Sequence, residues 1–398
     1  MTTRGRDRMH APSLHGARIE RRQALRLMGT SWLTAVAAAG GIEPFARRAF
    51  GAQALSAPVR IDVPRGGIIR TIRGDLDPNT IGGATLMHEH LGSGRAPSGR
   101  GGPVEPNPTA DREWMVQELT IAREKAGLGM LVAAATNIPG PDNTEYLTAL
   151  SQRSNVHLIA AAAYYTRPSY PPGTDTIAEE DLSELLVRGA ASARLGAFGE
   201  LGVVNDAPDL DPVERKVFRA FGRAQARTNL PIFTHNDYST GPNVPMDMAL
   251  RQLDALEAGG ANPRSIALGH VCCLFDPMVD VAKRVARRGA FVAFDRVTRQ
   301  VQWVSDERRI VMLKALLDAG LEHSILLSSD YIGRVNTSVG EINGYPGPLH
   351  ARDGGPGYAR PLVLFVPQLR KAGIPDEVIR RITQDNPRRF LTFVPRQA

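Results

Sequence analysis

From residue 84 onward, short apolar runs alternate along the chain with longer segments that mix apolar and polar residues. Apolar runs without polar interruption are typical of parallel strands that are buried on both faces. They predict strands over residues 84–88, 130–135, 156–163, 195–200, 230–234, 265–269, 290–294 and 324–329. The mixed segments predict helices over residues 111–126, 144–153, 179–193, 212–228, 245–259, 277–288, 306–319 and 375–383.

Eight strand–helix units within about 340 residues indicate an α/β protein with a (β/α)8 TIM barrel, formed by residues 55–398. A doubly wound open sheet is the structural alternative. It would not place polar residues at the ends of so many strands.

The first 54 residues differ from the rest of the chain. Arg21 and Arg22 precede an apolar stretch over residues 27–42, and residues 52–54 form an A-x-A cleavage motif. This arrangement resembles a twin-arginine signal peptide, so we expect residues 1–54 to be a leader and the protein to be periplasmic or secreted. A basic disordered tail is the alternative. The apolar stretch is too short and too rich in glycine and alanine to predict a stable membrane span.

The composition is that of a globular protein and gives no sign of a nucleic-acid partner or of disulfides between distant segments. Hydrophobic residues make up 42% and charged residues 22% of the chain, as in a globular protein with a large core. The leader carries +6 of the formal net charge of +7, so the charge does not indicate a nucleic-acid partner. Cys272 and Cys273 are adjacent and cannot link distant segments, and two packed thiols are a better interpretation than a strained disulfide.

Polar residues that bind metals stand at the ends of five predicted strands. The first strand ends in His-x-His, which places both imidazoles on one side of the strand. The full set comprises His88, His90, Glu200, His235, His270 and Asp330. Active-site residues of a TIM barrel lie at the carboxyl ends of its strands. Four imidazoles and two carboxylates are enough to hold two divalent ions.

Several motifs in this order resemble those of the phosphotriesterase family of the amidohydrolase superfamily. They are the residues 70–74 (RTIRG), 85–91 (TLMHEHL), 269–270 (GH), 328–330 (SSD) and 386–391 (NPRRFL). The resemblance implies a binuclear centre, with zinc as the expected metal and manganese, iron or cobalt as alternatives. His88, His90 and Asp330 would hold the buried ion, His235 and His270 the more exposed one, and a hydroxide would bridge them.

Many members of that family bridge the two metals with a carbamylated lysine from the fourth strand. This chain has Glu200 at that point, and its five lysines all fall in helix-like segments. A carboxylate also offers two oxygens and one negative charge, so Glu200 is predicted to be the bridge. The alternative is a glutamate that only forms a salt bridge.

A bridging hydroxide between two cations is a nucleophile at neutral pH, and Asp330 is placed to act as the general base. In lactone-hydrolysing members of the family, a tyrosine after strand 3 and an Asp-Arg pair after strand 7 line the site, and Tyr165 and Asp295-Arg296 match them. Tyr165 and Arg296 are therefore expected catalytic residues. The alternative is a core aromatic and a charge at the rim of the barrel. Trp303 and the loop after the last strand are expected at the mouth of the barrel.

The predicted function is hydrolysis of an ester or lactone carbonyl in a small-molecule substrate. The same residues fit a phosphotriester hydrolase, and a non-catalytic binding protein on a barrel fold is a third alternative. No nucleic acid is expected as a partner, and a homodimer is left open.

Overall fold

The structure is a computed structural model that describes residues 55–91, 108–135, 141–203, 209–236, 247–298, 304–331 and 347–396. The predicted leader, Trp303 and most of the loop after the last strand lie outside these residues. A hairpin comes first and consists of β1 (Ile69–Thr71) and β2 (Gly74–Leu76). The barrel strands are β3 (Ala84–Glu89), β4 (Leu128–Ala135), β5 (His157–Ala162), β6 (Ala197–Val203), β7 (Ile232–Asn236), β8 (Ile266–Leu268), β9 (Phe291–Phe294) and β10 (Ile325–Leu327).

The eight strands from β3 to β10 pair in parallel, each with its neighbour in the sequence. The first and last strands meet through backbone hydrogen bonds. The Asp330 N–H donates to the His88 carbonyl at 3.1 Å, and the His90 N–H donates to the Tyr331 carbonyl at 2.9 Å. The sheet is therefore a nearly closed barrel, which confirms the predicted fold.

Helices alternate with the barrel strands. They are α1 (Pro108–Ala126), α2 (Pro141–Ser154), α3 (Glu179–Ser192), α4 (Pro212–Thr228), α5 (Met248–Ala258), α6 (Asp280–Arg287), α7 (Asp306–Leu317), α8 (Val366–Lys371), α9 (Asp376–Arg380) and α10 (Asn386–Leu391). Local sequence explains the bounds of α4. Asp211 and Glu214 form a capping box, Pro212 occupies the first turn, and Asn229 ends the helix in the left-handed conformation.

Alternate residues of each strand face two different apolar layers. In β4, Leu131 and Ala133 pack in the layer between sheet and helices, whereas Met130 and Val132 pack in the barrel interior. Because one face of each strand is covered by helices and the other by the barrel interior, the strand sequences are apolar at successive positions. The prediction of doubly buried strands is thereby confirmed.

Apolar side chains fill the amino end of the barrel. Ile69 of the hairpin and Phe390 of α10 are buried in the interior cluster, and the Phe390 ring lies 5.2 Å from that of Phe291 at the start of β9. The Ile72 N–H, next to the hairpin strand β1, donates to the Leu158 carbonyl near the start of β5. This packing leaves the carboxyl end of the barrel for polar side chains.

Most predicted elements are observed, with shifts at their ends. Strand β6 continues to Val203, three residues past the predicted end at Glu200, and the late helix α9 is followed by a π-helical turn over Arg381–Asp385. Cys272 and Cys273 are free and buried, with their Sγ atoms 3.8 Å apart, as expected for packed thiols. Among the described residues, no helix has both the length and the apolar character needed to cross a membrane.

Candidate metal centre

All six predicted ligands converge at the carboxyl end of the barrel. His88 and His90 come from the end of β3, Glu200 from β6, His235 from β7, and His270 and Asp330 from the residues that follow β8 and β10. Five of the six are buried, and the His90 side chain is 14% exposed. The strands thus bring together residues that are up to 242 positions apart in the sequence.

His88, His90 and Asp330 form one half of the centre. The His90 Nε2 atom lies 3.1 Å from Asp330 Oδ1, and His88 Nε2 lies 3.8 Å from the same oxygen. Their ligand atoms lie within 4.8 Å of one another, so they could hold one metal ion. This is the set that the sequence assigned to the buried ion.

His235 and His270 form the other half. His235 Nδ1 lies 2.9 Å from His270 Nε2 and 2.6 Å from Glu200 Oε2. Ligand atoms of His88, Glu200 and His270 also lie within 4.8 Å of one another. A second ion could therefore be held beside the first.

Glu200 contacts both halves. Its Oε2 atom lies 3.1 Å from His88 Nε2 and 2.6 Å from His235 Nδ1, and its Oε1 atom lies 3.3 Å from His90 Nε2. Burial would raise the pKa of Glu200, but His235 and His88 lower it well below its ordinary value. The carboxylate is thus charged and lies between the two halves, at the predicted position of the bridge.

The position of Glu200 within its strand corrects the prediction that it ends the strand. The pairing register between β6 and β7 shifts between Phe198 and Leu201, which is the signature of a bulge. Gly199 lets Phe233 approach closely, because a Cβ there would lie 2.2 Å from the Phe233 ring. Glu200 therefore lies at an irregularity within β6 and not at the end of the strand. All five lysines lie in helices, as expected.

The donor set fits divalent metal ions. His88 Nε2 is fully buried and, among the described residues, forms no hydrogen bond of acceptable geometry, although Glu200 is close. An unsatisfied buried ring nitrogen is costly unless it binds a cation. His235 Nδ1 and His270 Nε2 also face each other. Two imidazole nitrogens can be this close when both direct their lone pairs toward one cation.

Asp330 and Arg296 form a buried pair at the edge of the centre. The Arg296 Nε donates to Asp330 Oδ2 at 2.8 Å, and both side chains are less than 10% exposed. Burial would raise the pKa of Asp330, but Arg296 and the hydrogen bond with His90 lower it well below its ordinary value. Asp330 is therefore ionised, and Arg296 is buried next to a predicted ligand rather than exposed at the rim.

The imidazoles differ in their proton affinity. Burial would lower the pKa of His90, but Asp330 and Glu200 raise it to about 9. For His270, burial and the nearby Arg296 lower the pKa to about 4 although Asp295 raises it. A cation that binds to His90 must displace a proton, so its binding is expected to strengthen as the pH rises.

Tyr165 also touches a predicted ligand. Its hydroxyl lies 3.1 Å from His235 Nε2, and the two rings are 4.6 Å apart in an edge-to-face arrangement. Both predicted catalytic residues outside the ligand set, Tyr165 and Arg296, therefore contact the centre. Their roles in a reaction remain predictions.

Asp295 was expected in the pocket lining, but it lies among the ligands. Its Oδ2 atom is 3.0 Å from His88 Nδ1, and its Oδ1 atom accepts a hydrogen bond from the His270 N–H and lies 3.0 Å from His270 Nδ1. Burial would raise the pKa of Asp295, but His270 and His88 lower it below its ordinary value. An aspartate directly after a barrel strand was the available sequence signal.

Glu89 was not predicted as a site residue. This fully buried carboxylate lies between the two histidines of β3 and accepts hydrogen bonds from the hydroxyls of Ser328 and Ser329 and from the N–H groups of Ser329 and Tyr331. Burial raises the pKa of Glu89 to about 7, although these bonds oppose the rise. An acid inside an apolar strand was its only sequence signal.

Two predicted ligands have left-handed backbone conformations. His270 has a φ of +58° and Asp330 a φ of +52°. Such conformations cost about 1–3 kcal/mol for a residue other than glycine and cluster at functional sites. The chain thus adopts these conformations at two of the six predicted ligands.

Comparisons with known proteins agree with this geometry. The sequence model of the phosphotriesterase family matches residues 67–391. The phosphotriesterase homology protein of Escherichia coli (strain K12) is 29% identical over 254 residues, which cover 62% of this chain and 78% of that protein. The N-acetyltaurine hydrolase of Danio rerio is 26% identical over 373 residues, which cover 82% of this chain and 98% of that protein.

Two solved structures are similar to this one. The phosphotriesterase homology protein from Escherichia coli, complexed with phosphate in its active site, has a TM-score of 0.62 and 26% identity, covering 79% of this chain and 100% of that chain. A resiniferatoxin-binding protein from Rhodobacter sphaeroides has a TM-score of 0.64 and 25% identity, covering 85% of this chain and 98% of that chain.

Proposed function

Since this chain belongs to the phosphotriesterase family of hydrolases, we propose that it is a binuclear metal-dependent hydrolase that acts on an ester or lactone carbonyl. The observation that carries the proposal is the position of Glu200, whose two oxygens contact ligands of both halves of the centre. His88, His90 and Asp330 would hold one ion, His235 and His270 would hold the other, and Glu200 would offer its carboxylate to both. Zinc is the proposed metal because four imidazoles dominate the set.

The ions, when bound, lower the pKa of water and polarise the bond under attack. The protein supplies the base and the orientation. Asp330 is ionised, and Arg296 holds its Oδ2 atom, so the carboxylate is oriented to accept a proton from the attacking water. Arg296 also orients a substrate carbonyl or carboxylate at the same edge of the site.

Tyr165 lies on the His235 side of the centre. Its phenol is within hydrogen-bond distance of His235 Nε2 and can donate to the leaving oxygen of a substrate. The three proposed catalytic residues thus contact different parts of the centre, with Arg296 on Asp330 and Tyr165 on His235. This arrangement supports attack on a carbonyl that carries an oxygen leaving group.

The relatives extend the range of carbonyl substrates to be tested. The relatives that are N-acetyltaurine hydrolases act on a carboxamide, as their name states. Attack on an amide carbonyl would use the same base and the same polarising charges. N-acyl amides therefore belong in the substrate panel beside esters and lactones.

A phosphotriester hydrolase is the second candidate. The similar Escherichia coli structure holds phosphate in its active site, so a phosphorus group fits the site of that protein. The buried charge of Arg296 next to Asp330 favours a carbonyl or an anionic substrate over a bulky neutral phosphotriester.

The test is a metal analysis followed by a substrate panel. We expect purified protein to contain about two divalent ions per chain. Zinc-loaded protein is then assayed with lactones, aryl esters, N-acyl amides and phosphotriesters. The variants His235→Ala and His270→Ala serve as controls, because they should release one ion more readily and lose turnover.

The outcomes separate the alternatives. Turnover of lactones or esters above the other classes supports the proposal, and preference for phosphotriesters supports the second candidate. Two tightly bound ions without turnover of any class indicate a binding protein. Protein that retains no divalent ion contradicts the binuclear proposal as a whole.

We also propose that residues 1–54 direct the protein to the periplasm or beyond by the twin-arginine route. The paired Arg21 and Arg22 support this proposal. Replacing both with lysine should leave the precursor in the cytoplasm. Unchanged export of that double variant would rule the route out.

A further inference from the structure

Asp295 divides its two oxygens between one ligand from each half of the centre. Its Oδ2 atom faces His88 Nδ1 at 3.0 Å, and its Oδ1 atom faces His270 Nδ1 at 3.0 Å. The Asp295 side chain is 2% exposed and the two imidazoles at most 1%, so water does not compete for these contacts. One carboxylate thus touches both halves from the side opposite to Glu200.

An ionised carboxylate only accepts hydrogen bonds, so each facing nitrogen must carry a proton. With hydrogen on Nδ1, a neutral imidazole has its lone pair on Nε2. The Nε2 atom of His88 points at Glu200 Oε2, and that of His270 points at His235 Nδ1, which is where the predicted ions belong. Asp295 therefore selects the tautomer in which both histidines can bind metal.

The two oxygens are not equivalent. Oδ1 also accepts the backbone N–H of His270 at 2.8 Å, whereas the side-chain contact of Oδ2 is with His88 Nδ1. A backbone N–H cannot become an acceptor. Any group that replaces the carboxylate must keep an acceptor on the His270 side.

We propose that Asp295 is the positioning residue that sets the tautomers of His88 and His270, and that Asp295→Asn converts the centre from two ions to one. The amide oxygen of asparagine takes the Oδ1 position, because the His270 N–H needs an acceptor there. The amide NH₂ group then faces His88 Nδ1, which must accept. The proton of His88 moves to Nε2, and His88 ceases to be a ligand.

The inference rests on the proposed binuclear function, and it specifies which of the two ions Asp295→Asn loses. The remaining ion is the one held by His235 and His270, whose hydrogen bonds to position 295 are retained. The ion held by His88, His90 and Asp330 loses one of its ligands. Changes to groups that orient ligands lower metal affinity roughly 10–100-fold, and loss of the ligand itself should exceed that range.

The test is metal stoichiometry and cadmium-113 NMR of the full chain. Wild-type protein loaded with cadmium should show two resonances and about two ions per chain. The variant Asp295→Asn should show one resonance and about one ion per chain. Adding His235→Ala to Asp295→Asn should release the remaining ion, whereas adding His90→Ala should not. The control is Asp276→Asn, a buried aspartate whose carboxylate instead accepts the Val281 N–H at the start of α6, which should keep both ions.

A second variant removes the charge without imposing a tautomer. Asp295→Ala removes the carboxylate that faces Nδ1 of both histidines, so both ions should be weakened to a similar extent. The proposal is overturned if Asp295→Asn keeps two ions, or loses both equally as Asp295→Ala does, or retains the ion that depends on His90. Wild-type protein that holds no ion would instead contradict the proposed function, so the two failures are distinct.

Discussion

Glu89 accepts hydrogen bonds from both the backbone N–H and the hydroxyl of Ser329, at 2.8 and 2.9 Å. Glu89 ends the first barrel strand and Ser329 follows the last, so these bonds join the two strands at the end that holds the candidate centre. The neighbours of these two residues, His88, His90 and Asp330, are three of the predicted ligands. The same carboxylate thus closes the barrel and fixes the spacing of one half of the centre.

Replacing Glu89 with glutamine should therefore destabilise the fold. The NH₂ group of glutamine replaces an oxygen that accepts hydrogen bonds, so at least one buried donor loses its acceptor. An unsatisfied buried group costs about 1–3 kcal/mol. Chemical denaturation of metal-free protein measures the loss of unfolding free energy. The exposed Glu124→Gln on α1 is the control and should change stability by less than about 0.5 kcal/mol. Equal stability of the two variants would show that the Glu89 bonds do not hold the barrel together.

Glu200→Gln should remove one ion and most of the activity. Glutamine keeps the shape of the side chain but removes the negative charge between two cations that would repel one another strongly in a buried site. Metal analysis and turnover of the loaded variant measure the effect. Reconstitution of wild-type protein should not depend on bicarbonate, because a carboxylate does not have to form before it bridges. Glu200→Gln with two ions and normal turnover would mean that Glu200 is not the bridge.

The variant Tyr165→Phe removes the hydroxyl and keeps the ring, so it tests the two contacts separately. The phenylalanine ring can still pack edge-to-face on His235, so metal content should not change. Loss of the hydroxyl should lower turnover roughly 100- to 10,000-fold if it donates to the leaving oxygen, as groups that assist proton transfer do. The decrease should shrink for substrates whose leaving groups need no assistance. A uniform decrease for all leaving groups would assign Tyr165 to positioning of His235 instead.

Stability should also depend on pH through Glu118, which is not one of the predicted ligands. This buried carboxylate of α1 accepts the Arg352 N–H at 3.3 Å, and burial raises its pKa from 4.5 to about 6. Because the folded state binds this proton more tightly than the unfolded chain, the contribution is fully present below pH 4.5 and is lost as the pH rises through about 6. The upper bound of the loss is about 2 kcal/mol.

The variant Glu118→Gln isolates this contribution. Glutamine does not titrate, so wild-type protein should lose stability relative to the variant between about pH 4.5 and pH 7.5. Denaturation of both proteins without metal at the two pH values measures the difference. A difference that is independent of pH would indicate that Glu118 is ionised throughout.

The barrel and its ligands could be predicted because the relevant signals are local. An apolar run followed by a histidine or an acid is visible in the sequence at His235, His270 and Asp330, and the barrel fold then brings the strand ends together. The roles of Asp295 and Glu89 could not be predicted in this way. Each depends on a partner more than 200 residues away, His88 for Asp295 and Ser329 for Glu89. The bulge around Glu200 likewise follows from pairing between strands, which composition does not reveal.

The six predicted ligands are spread along the chain from His88 to Asp330, and Asp330 lies in its last fifth. A ribosome must therefore synthesise most of the polypeptide before a complete centre can exist. A nascent chain that stops earlier carries several imidazoles but lacks Asp330, together with Ser328 and Ser329, which join the last strand to the first. Retention of two ions would thus distinguish finished molecules from chains that end before Asp330.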